Sequence, residues 1–172
     1  MNLIIQGIGL VGFLFAILSF QNKSRKKILI FILFAQLTFS LHFFLLGAIT
    51  GFLMNFLAFA RTFLFEKREK YSWANHQFWI YLFIILFWAL GLRNLESFYG
   101  ILPILAMTFG SIALWNLNAK KVRILMLIPT ILWLVYDFMV ISIAGVLTEL
   151  VILFSILIGV FRFKSKFSKN NS

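Results

Sequence analysis

The sequence predicts an all-α polytopic membrane protein: seven transmembrane helices, arranged as two parallel three-helix bundles joined by a linker helix. Three observations predict it. Sixty-two per cent of the 172 residues are hydrophobic and 12 per cent are charged, more apolar surface than a soluble domain of this size could bury. Apolar stretches of about 20 residues, enough to cross a bilayer, recur along the chain. The second half also repeats the first at a fixed offset of 94 residues, residues 12–64 sliding onto 106–158 without a gap. In that register Phe15 falls on Phe109, Asn22 on Asn116, Lys26-Lys27 on Lys120-Lys121 and Gly51 on Gly145. Apolar matches are cheap in such a chain, but the Asn, Lys-Lys and Gly matches are not. Two copies of a membrane unit around a shared midplane can rock and open one site to either side.

The spans read as 3–20, 28–46, 48–65, 77–92, 99–117, 122–141 and 143–163. Each is expected to be helical, because backbone groups in hydrocarbon must be satisfied within the segment. Pro103 falls in the first turn of the fifth span, where proline costs little, whereas Pro129 lies inside the sixth and should kink it. The organisation that follows is a first bundle over 1–65, a cytoplasmic loop and linker helix over 66–98, a second bundle over 99–163 and a basic tail over 164–172. Met1-Asn2-Leu3 lacks the basic start of a cleavable signal peptide, so the first apolar stretch is expected to be retained.

Positive charge sets orientation. The connections 21–27, 61–76 and 118–123 and the tail 162–172 hold four, four, three and four Lys or Arg, which is 15 of 16, and only Arg93 falls on the other side. The N-terminus is therefore expected outside and the C-terminus inside. Spans one to three and five to seven then enter with the same polarity, and the fourth resets the direction between them. A net charge of +11 would suit nucleic acid, but these cations sit in short runs between apolar segments. That placement serves topology and anionic lipid headgroups instead. Trp73, Trp79, Tyr99 and Trp115 fit interfacial belts. No cysteine is present, so no disulfide framework or thiolate chemistry is expected.

Lipid is as apolar as leucine, so small and polar residues mark inward faces. Gly12, Ala16 and Ser19, with partners Ala106, Gly110 and Ala113, form equal stripes suited to close helix packing. Thr108, Ser111 and Trp115 form a second stripe on the fifth span, whose hydroxyls could equally bond their own helix backbone. Thr130, Trp133 and Asp137 share a face of the sixth span, and their partners on the second are Gln36, Phe39 and Phe43. An aromatic plane bracketed by polar groups is what a small polar solute needs. Thr38 and His42 lie nearly opposite Gln36 and Ser40, so one pair must face a neighbour other than the cavity.

Four groups carry the sharpest signal. Asn55 and Glu149 are repeat partners on the third and seventh spans. Asp137 lies about 7 Å outward of its span's middle, and Arg61 about 6 Å inward of its own. Ionisable groups this deep cost roughly 2.5–3.5 kcal/mol each on insertion scales, and a chain that keeps them pairs or solvates them. Arg61 could pair with Asp137 or Glu149 and hold helices together, or these groups could wall a hydrated site. His42 could relay protons, or donate between helices.

The string Leu41-His42-Phe43-Phe44-Leu45-Leu46-Gly47, followed by Ala60-Arg61-Thr62, resembles the YgjV-like bacterial inner-membrane proteins. Glu149 and the terminal Phe161-Arg162-Phe163 are similar to that family's end. The resemblance covers nearly the whole chain. It implies the bacterial inner membrane and carries no function. The three-one-three layout resembles the SWEET and PQ-loop carriers of small solutes. That resemblance implies facing polar groups at Asn55 and Glu149 and an aromatic at Trp133. The Pro-Gln pair of PQ-loop proteins is missing at Phe20-Gln21 and at Ala35-Gln36, and Glu149 is a carboxylate where the SWEET pattern has an amide. A cationic solute or a proton-coupled step fits that change better than sugar.

The expected function is a carrier for a small polar solute. The two bundles alternate access to a site built from Asn55, Trp133, Asp137, Glu149 and Gln36, with Arg61, His42 and Glu149 as ion-pair or proton-relay groups. Glu149, if desolvated, would take up a proton and bias the inward or outward state. The alternative is a receptor or assembly partner that binds a ligand in the same pocket without transporting it. An enzyme is not expected: intramembrane aspartate chemistry needs two aspartates and only Asp137 is present, and neither an HExxH zinc motif nor a nucleophile elbow occurs. No metal, cofactor or nucleic-acid partner is expected. The 23 Phe residues suit contact with lipid or with further copies of the chain equally.

Overall fold

In a computed structural model, residues 3–169 are described, with side chains in the last helix as far as Leu157. Eight α-helices follow one another among the described residues: α1 Leu3–Gln21, α2 Arg25–Leu45, α3 Ile49–Lys67, α4 Phe78–Arg93, α5 Ile101–Leu114, α6 Ala119–Leu125, α7 Leu127–Met139 and α8 Ile143–Lys169. Short 3₁₀ turns, Ser72–Asn75 and Phe98–Gly100, precede α4 and α5. By length and composition α1, α2 and α3 can each cross a membrane, and α6 with α7 can do so as one bent span. Phe78–Arg93, Phe98–Leu114 and Ile143–Leu157 are apolar but shorter.

The sixth apolar segment is broken rather than kinked in place. Its halves, α6 and α7, meet at Met126 with a bend of 42°. Pro129 has no N–H to offer the Leu125 carbonyl four residues back, and its ring pushes that carbonyl aside. Helical bonding resumes at once, with the Thr130 N–H on the Met126 carbonyl at 3.0 Å. The break therefore lies one turn before the proline. At its other end α6 is started by Asn118, whose side chain accepts from the Lys120 N–H at 2.9 Å and the Lys121 N–H at 3.3 Å.

The helices close a ring. α2 packs between α1 and α3, and α7 packs between α5 and α8. The ring is completed by α1 against α8 and α3 against α5, while α4 lies on α5 and α3. Under the 94-residue offset α1 corresponds to α5, α2 to α7 and α3 to α8, so every pairing around the ring maps onto another, and α4 alone has no counterpart among the described helices. The turn before the third helix of each half is also repeated. Gly47 and Ile141 both have left-handed backbone, φ 76° and 56°. The next residues, Ala48 and Ser142, donate to the Phe43 and Asp137 carbonyls at 2.9 and 2.8 Å.

Candidate functional site

A cavity of about 100 Å³ lies inside the ring, lined by twenty residues, all on α1, α2, α3, α5, α7 and α8 except Met126 at the break. It has room for several waters. Fourteen of the twenty fall into seven pairs 94 residues apart: Ala16 and Gly110, Phe20 and Leu114, Ile32 and Met126, Ala35 and Pro129, Phe39 and Trp133, Phe43 and Asp137, Asn55 and Glu149. Both halves thus present the same helical positions to one hollow. α2 and α7 face each other across it, joined where the Phe43 ring stacks on Trp133 with centroids 5.7 Å apart.

The residues singled out from the sequence are placed as follows. Gln36, Asn55, Arg61, Trp133, Asp137 and Glu149 all line the cavity. Asn55 donates to the Gly51 carbonyl at 3.1 Å. Asp137 is 2% exposed, its Oδ1 has no hydrogen-bond partner, and Glu149 is the charge that acts on it. Glu149 is half-buried, with the Thr130 side chain beside its carboxyl. Arg61 is 1% exposed.

Arg61 is not ion-paired with either carboxylate among the described residues, so the ion-pair expectation is not met there. Its Nη1 donates to the Met107 carbonyl at 3.3 Å and to Ser111 Oγ at 3.0 Å. With its amide oriented so that both ends are satisfied, Gln36 accepts from Arg61 Nη2 at 3.2 Å and donates to Thr62 Oγ1 at 2.9 Å. The guanidinium also lies over the Phe87 ring, 5.4 Å from its centroid. The charge is solvated by main-chain and side-chain oxygens of α3, α5 and α2. Ser111 returns its own hydroxyl to the Met107 carbonyl at 2.7 Å, and Thr108 takes the Trp88 indole N–H at 3.1 Å. The stripe on α5 therefore serves packing.

His42 does not line the cavity. Its Nδ1 lies 2.9 Å from the Ile5 carbonyl and its Nε2 2.9 Å from Ser142 Oγ. A carbonyl only accepts, so Nδ1 carries the proton and Nε2 accepts from the serine. Thr38 is half-buried and donates to its own helix at Phe34. Of the two opposed pairs on α2, Gln36 is the member that meets the hollow.

Four residues that the sequence reading passed over shape the site. Tyr136, 94 residues after His42, crosses to the other half: its hydroxyl accepts from the Gly51 N–H, a first-turn donor of α3, at 3.0 Å. Ser142 accepts from the Gly145 N–H at 3.1 Å and so starts α8 while holding His42. Gly145 is where the Asp137 carboxyl lies on the backbone of α8; a Cβ there would stand 2.5 Å from Oδ2 and 2.6 Å from Oδ1. Arg25, counted as a topological charge, is buried at the opposite end of the ring. It donates to the Asn116 carbonyl at 2.9 Å, the Leu114 carbonyl at 3.1 Å, the Phe65 carbonyl at 3.2 Å and Glu69 at 2.9 Å. Arg123 answers from the other half by donating to the Asn22 carbonyl. The offset alone could have flagged Tyr136, since it pairs two hydrogen-bonding residues. Nothing in the sequence marks Arg25 apart from the lysines around it.

Comparison with known proteins adds the following. A family profile named Imp-YgjV and described as bacterial inner membrane protein matches residues 3–166. The inner membrane protein YgjV of Escherichia coli (strain K12) is 26% identical over 144 residues, which is 84% of this chain and 75% of that protein. No solved structure matches the chain.

Proposed function

The chain belongs to the YgjV family of bacterial inner membrane proteins, and from that premise we propose that it is a multi-pass carrier for a small polar solute. In this reading the seven apolar segments all cross the membrane, with the N-terminus outside and the C-terminus in the cytoplasm. α1–α3 and α5–α8 are parallel repeats related by an axis along the membrane normal, in the manner of SWEET and PQ-loop carriers, and α4 is the linker. The solute sits among Gln36, Asn55, Trp133, Asp137 and Glu149. Proton uptake at Glu149 biases the two states.

The observation that carries the proposal is the pairwise lining of the hollow, with Asn55 and Glu149 as one of the pairs. A cavity walled by equivalent positions of two similar halves is what a rocking mechanism requires. The ties between halves fall at its two ends: Arg25 to Asn116 and Arg123 to Asn22 at one, and His42 to Ser142 and Gly51 to Tyr136 at the other. Each set is placed to act as a gate, and releasing one set while keeping the other would open the hollow to one side.

Uptake into proteoliposomes tests the reading. One solute class from a broad panel should enter, Glu149→Gln should abolish the flux and Asn55→Ala should reduce it. No flux for any solute with the native protein, or unchanged flux in both variants, would refute it.

A further inference from the structure

We propose that the ligand of the hollow is a small organic cation bearing a primary ammonium group, held by Glu149 with Asp137 as a second charge behind it. This deepens the carrier reading and rests on it for transport, though not for binding.

Two carboxylates, Asp137 and Glu149, line this wall. Neither has a cationic partner among the described residues, whose ion pairs are Arg25 with Glu69 and Lys67 with Glu66. An unpaired carboxylate out of water is costly, and chains relieve it with a counter-charge or a proton. Arg61 is not that counter-charge. It is 1% exposed, and its guanidinium is turned to Met107, Ser111 and Gln36.

The remaining chemistry points the same way. Asp137 Oδ1 is buried without a hydrogen-bond partner. Asn55 commits its amide nitrogen to Gly51. Asp137 Oδ1, unpartnered on the same wall as Glu149, is a free acceptor that suits an ammonium. The hydrocarbon part would lie on the aromatic side, where Phe39, Phe43 and Trp133 stack in sequence at 6.0 and 5.7 Å. Aromatic faces also attract cations.

The probe is methylammonium chloride, compared with sodium chloride at equal ionic strength and with acetate and glucose. Detergent-purified native protein is treated with dicyclohexylcarbodiimide, and labelling of Glu149 is followed by mass spectrometry. Methylammonium should slow labelling several-fold and raise the melting temperature with concentration, while sodium, acetate and glucose should not. The thermal shift should vanish in Glu149→Gln and need at least tenfold more ligand in Asp137→Asn. The labelling arm uses native protein, so misfolding of a variant leaves a decisive result. No protection by methylammonium, or equal protection by glucose, overturns the cation. Methylammonium counterflow in proteoliposomes separates the two claims. Protection without flux keeps the cation site and sinks the carrier. Flux of another solute without methylammonium protection keeps the carrier and sinks the cation.

Discussion

Gly47 and Ile141, 94 residues apart, hold the same left-handed backbone at the same turn of the two halves. Glycine takes that conformation freely, whereas a β-branched residue is strained there by roughly 1–2 kcal/mol. Ile141 is largely exposed, so its side chain contributes little burial in return. Ile141→Gly should therefore raise the melting temperature in detergent, by about 0.5–1 kcal/mol of net stability once glycine's freedom in the unfolded chain is subtracted. Gly47→Ile should lower it by a similar amount or more. Thermal melts of the two variants check both signs.

Gly145 is needed because the Asp137 carboxyl occupies the space of its missing Cβ. Gly145→Ala should destabilise by about 2 kcal/mol or more, within the range seen for overpacked sites. Asp137→Ala removes the obstruction, so Gly145→Ala in that background should cost less than about 0.5 kcal/mol. A double-mutant cycle by thermal or denaturant unfolding measures the coupling. Additive effects would mean the two residues do not touch.

Arg25 gathers the ends of α3 and α5 onto the start of α2 through four acceptors. Hydrogen bonds from a charged donor contribute about 1.5–3 kcal/mol each, although they share one side chain. Arg25→Ala should lower stability by about 3 kcal/mol. Arg25→Lys should recover less than half, because an ammonium lacks the planar fork. Arg123→Lys, losing one such bond from a half-buried side chain, should be milder. Fluorescence-detected thermal unfolding of the three variants ranks them.

The proposed seven spans place the loop carrying Lys70 and the loop carrying Glu96 on opposite sides of the membrane. Truncated chains fused to a cytoplasm-active or periplasm-active reporter after each residue should therefore give opposite signals. Equal signals would mean that α4, of 16 residues, does not cross.

Much of this arrangement was legible in the sequence. The offset of 94 aligned Asn55 with Glu149, and α3 and α8 carry both into one hollow. The shared face of Trp133 and Asp137 was readable from helical spacing, and both line that hollow. Pro129 announced a distortion, but its position one turn upstream depends on which carbonyl the ring displaces. The partners of Arg61 were not legible. Sequence shows formal charges, and the nearest formal opposites were Asp137 and Glu149, yet carbonyl and hydroxyl oxygens of Met107 and Ser111 solvate it instead. Arg25 was hidden for the converse reason: in a run of cations at a helix start, burial of one depends on how the two halves meet.

The central claim is that one hollow opens alternately to the two sides. The chain has no cysteine, so single cysteines at positions 55 and 149 can be labelled without background. A membrane-impermeant maleimide, applied to right-side-out and to inverted vesicles, is the direct measurement. The account predicts that both positions react from both sides, and that each reaction slows when the opposite gate is opened, for example by Arg25→Ala for the outer side. Reaction from one side only, with no change in that variant, would contradict it and leave a pocket that binds without transporting.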